Sequence, residues 1–138
     1  MSTTINNDEK MKLLVCGAHM SDLSLNYQLT DLSAHLLEKT KTAATYQLYA
    51  LAGGPPYRPG LVRQSVNGCA IDVEVWEIAT SALGAFIQNI PEPLGLGKVE
   101  IDSGEQVIGF ICQPEGIQTA TNISHFGGWR KYLESSKR

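Results

Sequence analysis

The sequence predicts an α+β fold, a small mixed β-barrel with flanking helices. Three observations predict it. Thirteen Gly and six Pro in 138 residues impose frequent turns, and frequent turns leave room only for short strands. The two-residue periodicity at 71–78 and a hairpin signal at Ser103-Gly104 mark strands directly. Two or three segments with helical spacing complete the mixture. Apolar residues make up 43% and charged residues 18%, which is enough to fill one core. The expected organisation is a disordered polar tail at 1–10 followed by a single domain at 11–138.

The elements follow in order. Residues 11–17 (Met-Lys-Leu-Leu-Val-Cys-Gly) are a short apolar run closed by Gly. They read as a buried strand, although so short a run also fits a helix. A polar loop follows at 18–26. Across 25–37, Leu25, Leu29, Leu32 and Leu36 have helical spacing, while from Ser33 onward Thr40, Thr42 and Thr45 favour a strand. Residues 46–51 read as a strand. The run Gly-Gly-Pro-Pro-Tyr-Arg-Pro-Gly at 53–60 removes donors and backbone bias, so the expectation is a stiff loop with no regular element. A short strand is expected at 61–66.

The clearest strand is 71–78, with Ile71, Val73, Val75 and Glu77 on one face and Asp72, Glu74, Trp76 and Ile78 on the other. Thr80 or Ser81 is the expected cap of a helix at 82–90, where Leu83, Phe86, Ile87 and Ile90 share a face and Pro91 ends it. A second stiff loop at 91–97 precedes a strand at 98–102. Ser103-Gly104 turns the chain into a strand at 106–112. After the Gly127-Gly128 break comes an amphipathic helix at 129–133.

Composition excludes several functions. The formal net charge of −3 is a poor footprint for a nucleic-acid partner and supplies no polybasic membrane anchor. No apolar run approaches the roughly 20 residues that span a bilayer. The polar N-terminus shows no apolar signal segment, which predicts a cytoplasmic protein. Cys16, Cys69 and Cys112 are widely spaced and read as structural thiols of a reducing compartment. His19, His35 and His125 are scattered, without zinc-ligand spacing, so no metal and no cofactor is expected. Gly95-Leu96-Gly97 lacks a third glycine and a following helix, and reads as a turn rather than a phosphate loop.

The strongest candidate for chemistry is the loop at 17–26. Gly17 and Ala18 let the backbone approach a ligand closely, and free N–H groups with the Ser21 hydroxyl suit a carboxylate. His19 is placed to transfer a proton near neutral pH. The competing reading is a capped turn whose histidine merely packs. Arg58 and Arg63 are candidate anion clamps, since an Arg fork matches a carboxylate in two contacts. A surface ion pair suits Arg58 better, which leaves Arg63 as the clamp. Tyr46 and Tyr49 fill the core or line a pocket. Glu74 is an acid/base candidate if its face is buried, and otherwise an outward strand residue.

Taken together, several runs resemble the C-terminal domain of allophanate hydrolases. They are the loop at 17–26, Leu29-Thr30, the strand at 46–51, Pro59-Gly60-Leu61-Val62-Arg63, Val73-Glu74-Val75-Trp76, residues 90–97, and Phe126-Gly127-Gly128-Trp129-Arg130. The resemblance runs in order from about Lys12 to Leu133. It implies the γ-glutamylcyclotransferase-like fold, with a substrate loop after the first strand. Where cyclotransferases carry Tyr-Gly-Ser-Asn, this chain has Cys16-Gly17-Ala18-His19. Their catalytic glutamate has only Glu92 nearby, set between two prolines in a different motif. Asp22 and Ser24 stand where the allophanate hydrolase family usually has Gly and Pro.

The resemblance further implies that His19 is the proton-transfer residue of a decarboxylation of N-carboxycarbamate, or of a related urea-derived acid. It implies a pocket framed by Gly17, Ala18, Met20, Ser21, Leu25 and Asn26. Tyr46, Arg63, Leu94 and Gly95 are the remaining expected contacts. The expected partners are a small carboxylate, a separate amidase and a second copy of the chain in a homodimer. No amidase activity is expected of this chain by itself. Two alternatives stand beside this one: cyclotransferase chemistry on γ-glutamyl amines, and a non-catalytic binding or assembly module for an amidase.

Overall fold

The apolar run after Met11 forms the central strand of a sheet, with its side chains in the core. The computed structural model describes residues 9–135. In it, strand β1 (Lys10–Val15) lies between β5 (Asp72–Ala79), antiparallel, and β7 (Gln106–Cys112), parallel. Leu13, Leu14 and Val15 are fully buried. On the outside, β2 (His35–Lys41) pairs with β5 and β6 (Leu94–Glu100) with β7, giving a mixed sheet in the order β2-β5-β1-β7-β6. A smaller sheet has the order β4-β3-β8, from β3 (Tyr46–Ala50), β4 (Pro59–Arg63) and β8 (Thr121–Asn122). Three short helices flank the sheets: α1 (Tyr27–Thr30), α2 (Thr80–Gln88) and α3 (Trp129–Ser135).

The five-stranded sheet curls until its two edge strands touch at one end. There Thr42 and Ile101 form a bridge, with Ala43 N–H donating to the Glu100 carbonyl and Asp102 N–H to the Lys41 carbonyl, both at 2.9 Å. The ladders form two sheets rather than one barrel closed all round. The opposite end of β6, at Leu94, therefore stands at the splayed end of the curl. The cavity described below opens there.

Several expectations are corrected in detail. Positions 1–8 of the expected tail lie outside the described residues, and Lys10, placed in that tail, already belongs to β1. The ambiguous stretch at 25–37 contains both alternatives in short form. Helix α1 is a single turn, Ser33 breaks it with φ 61°, and β2 begins at His35. Pro59 and Gly60 are not loop but open β4, paired with Ala50 and Tyr49. Because β4 is an edge strand and Pro59 its first residue, the missing N–H leaves no ladder bond unmade. Residues 94–97, expected in a loop, form β6 against residues 109–112. Gly97 makes that possible, since a Cβ there would lie 2.6 Å from Ile111 Cδ1.

Strand β5 buries both faces rather than one. Val73 and Val75 on one side and Glu74, Trp76 and Ile78 on the other are all buried. Helix α2 starts at Thr80, with Ala79 as N-cap and no side-chain cap, so the expected caps Thr80 and Ser81 lie inside it. Among the described residues no helix is long and apolar enough to cross a membrane. No group of three or more His, Cys, Asp or Glu is placed there to hold a metal ion.

Candidate functional site

The chain leaves β1 at Cys16 and folds over the splayed end of the sheet as the loop 17–26. Successive turns hold it: Met20 N–H donates to the Gly17 carbonyl, Leu23 to Met20, Leu25 to Ala18 and Asn26 to Leu23. Asn26 Nδ2 also donates to the His19 carbonyl at 2.8 Å. Gly17 lies against Pro59; an added Cβ would meet Pro59 Cδ at 2.5 Å, so only glycine admits β4 this close. Asp22 has φ 66°, a left-handed conformation that Asp tolerates better than most side chains. Among the described residues the backbone N–H groups of Gly17, Ala18 and His19 make no hydrogen bond. Three such successive donors are the makings of an anion nest.

The far side of the loop is tied down by a buried carboxylate. Glu74 is 2% exposed. Its Oε1 accepts from Ser21 N–H at 2.8 Å and Trp76 Nε1 at 3.0 Å. Its Oε2 accepts from Ser21 Oγ at 2.8 Å and Arg130 Nη2 at 2.7 Å. Arg130 also donates to the Ser21 carbonyl at 2.6 Å. Burial alone would push the Glu74 carboxyl up; the donors from Ser21, Trp76 and Arg130 outweigh it and hold the group below its usual range.

The near side of the loop lines a cavity of about 130 Å³. Cys16, Gly17, Ala18, His19 and Leu25 come from β1 and the loop, and Gln28 from α1. Phe86, Asn89, Ile90 and Pro91 come from α2 and its end, Leu94 from β6 and Phe110 from β7, while Pro56, Arg58 and Pro59 close the mouth. The His19 ring is half-buried, with Phe86 edge-on and Phe110 tilted, each at a centroid distance of 5.3 Å. Its Nε2 meets Gln28 Oε1 at 2.8 Å. Burial pushes the imidazole pKa down and nearby Arg58 adds to that; the Gln28 hydrogen bond opposes them without reversing the result. Among the described residues no carboxylate pairs with Arg58. Burial pushes the Cys16 thiol up to about 12, so it is neutral here.

Of the expected site residues, Gly17, Ala18, His19, Leu25 and Leu94 share this cavity. The others do not line it. Met20 is buried and faces a separate hollow with Lys39, Lys41 and Arg130. The Ser21 hydroxyl is engaged by Glu74 and Arg130, and Asn26 braces His19 from behind. Tyr46 is a core residue whose hydroxyl accepts from Glu100 N–H at 2.9 Å. Arg63 is exposed, 3.7 Å from Glu100, and Gly95 lies in β6 outside the lining. Glu92 is exposed and Glu74 committed to its donors, so neither carboxylate lines the cavity.

Arg58 occupies the place expected of Arg63. Sequence reading missed Gln28, Asn89 and the two phenylalanines as site residues. For Phe86 the signal was the apolar face of α2. For Gln28 and Asn89 no sequence signal sets them apart from surface amides.

The profile of the allophanate hydrolase C-terminal domain family matches residues 11–134. A urea amidolyase of Saccharomyces cerevisiae is 44% identical over 132 residues, which are 93% of this chain and 7% of that protein. The chain thus spans a small fraction of that relative. The solved allophanate hydrolase of Kluyveromyces lactis superposes with TM-score 0.90 at 41% identity, covering 94% of this chain and 22% of the other. A crystal structure described as a uropathogenic E. coli-specific protein matches with TM-score 0.85 at 26% identity, over 94% of this chain and 99% of that one. The fold alone extends to a γ-glutamyl cyclotransferase structure, at TM-score 0.54 and 13% identity.

Proposed function

The chain belongs to the allophanate hydrolase C-terminal domain family, and on that footing we propose that it binds a small urea-derived dicarboxylate beside His19 and decarboxylates it, with N-carboxycarbamate as substrate. The observation that carries this reading is the juxtaposition in one small cavity of a half-buried imidazole, a guanidinium with no carboxylate partner among the described residues, and an apolar wall. Arg58 and the N–H groups of Gly17, Ala18 and His19 hold the carboxylate that stays. The other carboxylate lies against Phe86, Phe110 and Leu94, where its charge is poorly solvated and neutral CO2 is favoured. The C–N bond breaks, its electron pair goes to nitrogen, and His19 supplies the proton that nitrogen takes. The balance is a dianion plus one proton giving carbamate and CO2.

A separate amidase, acting on allophanate, would supply the substrate. The test couples this chain to such an amidase and follows CO2 release. His19→Ala is expected to lower the rate about 100-fold, in the range of general acid catalysis. No acceleration by the wild type over His19→Ala sinks the proposal. Full acceleration by His19→Ala together with a stable complex with the amidase would favour an assembly role instead.

A further inference from the structure

Resting on the reading of His19 as proton donor, we propose that Gln28 is the positioning residue of the site: its amide decides which ring nitrogen carries the proton and leaves the other nitrogen to take one up when an anion enters. An amide oxygen only accepts. With Gln28 Oε1 2.8 Å from Nε2, the neutral ring carries its proton on Nε2, and Nδ1 keeps its lone pair. Nδ1 has no hydrogen-bond partner among the described residues. It is the atom left to take up a proton and to deliver it. The ring cannot easily turn away, because Phe86 and Phe110 pack on it and Asn26 pins its backbone.

The choice of an amide over a carboxylate matters as much as its position. A carboxylate at residue 28 would stabilise the imidazolium and charge the ring in the empty site. The groups that touch His19 or share its cavity are Gln28 from α1, Phe86 from α2, Asn89 at its end, Phe110 from β7, Cys16 and Arg58. Of these only Arg58 is charged. Asp31 lies on the outer side of Gln28, in the groove between α1 and α2. Burial and Arg58 therefore favour a neutral imidazole beside a cation. A dianion that satisfies Arg58 also attracts a proton to Nδ1, so the acid is loaded by the substrate it serves.

The test reads the histidine directly, in the full chain, by nitrogen-15 NMR. In the wild type the neutral ring is expected to be protonated at Nε2. In Gln28→Met, of similar size and without an acceptor, that bias is lost. In Gln28→Glu the His19 titration midpoint rises by about 1 pH unit or more, and the pH profile of amidase-coupled CO2 release shifts the same way. An unchanged tautomer in Gln28→Met with an unchanged midpoint in Gln28→Glu overturns the proposal, whatever the rate. Because the NMR arm needs no substrate, it decides the positioning role even if no CO2 release is seen, a result that would count against the decarboxylation alone. Circular dichroism of each variant confirms that the fold is retained.

Discussion

A carboxylate as deeply buried as that of Glu74 survives only because each oxygen is answered by donors. Those donors come from three places in the chain: Ser21, Trp76 and Arg130. Glu74→Gln keeps the shape but loses the charge-assisted bonds, and is expected to cost about 1–3 kcal/mol. The pH dependence has a definite sign. The folded pKa lies below the ordinary value of 4.5, so the stabilisation is fully present above about pH 4.5 and is lost as pH falls through the lower folded value. Denaturation of both proteins between pH 7 and pH 3 should show the gap narrowing in acid; a constant gap would remove the carboxylate from the explanation. His19 shows the opposite design, a titratable ring among aromatic neighbours with one neutral partner. The two groups separate structure from chemistry on the two sides of a single loop.

Elements explain what the sequence revealed and what it hid. Strand β5, the hairpin of β6 and β7 and the C-terminal helix were legible because periodicity and turn residues act locally. Pro59 and residues 94–97 were misread as loop for a tertiary reason. A proline is harmless at the start of an edge strand, and edge position is a property of the sheet, not of the dipeptide. Loop 17–26 was legible as a candidate site, yet the sequence could not say which of its groups were already engaged. Ser21 faces Glu74 and Arg130, and the exchange of Arg58 for Arg63 turns on which end of β4 meets the cavity. Helix α2 offers an element-scale check. Its N-cap Ala79 has extended backbone angles, φ −61° and ψ 132°, and no side-chain cap. Ala79→Ser should satisfy a free N–H of the first turn and add about 1 kcal/mol, or roughly 3 °C in Tm. A calorimetric scan showing no gain would mean the first turn is already satisfied otherwise.

At the scale of the whole molecule, one core serves both sheets, and the C-terminal segment closes it. Trp129 is 2% exposed and belongs to the same core as Leu13 and Val75. Trp129→Ala should cost about 3–5 kcal/mol, as large aromatic truncations do. Urea denaturation followed by a far-ultraviolet signal would measure it, and a loss below 1 kcal/mol would show that α3 is dispensable. The neighbour of Trp129, Arg130, grips Ser21 across 109 positions of sequence. Contacts so distant form late. On the ribosome, β1 emerges with its Leu-Leu-Val exposed and waits for β5 and then β7 to cover its flanks. The loop bearing His19 is translated early, but Arg130, the last of its anchors, follows Ser21 by 109 positions. A nascent chain that has not yet reached residue 130 therefore carries its histidine on a loop whose buried Glu74 carboxylate still lacks its cation.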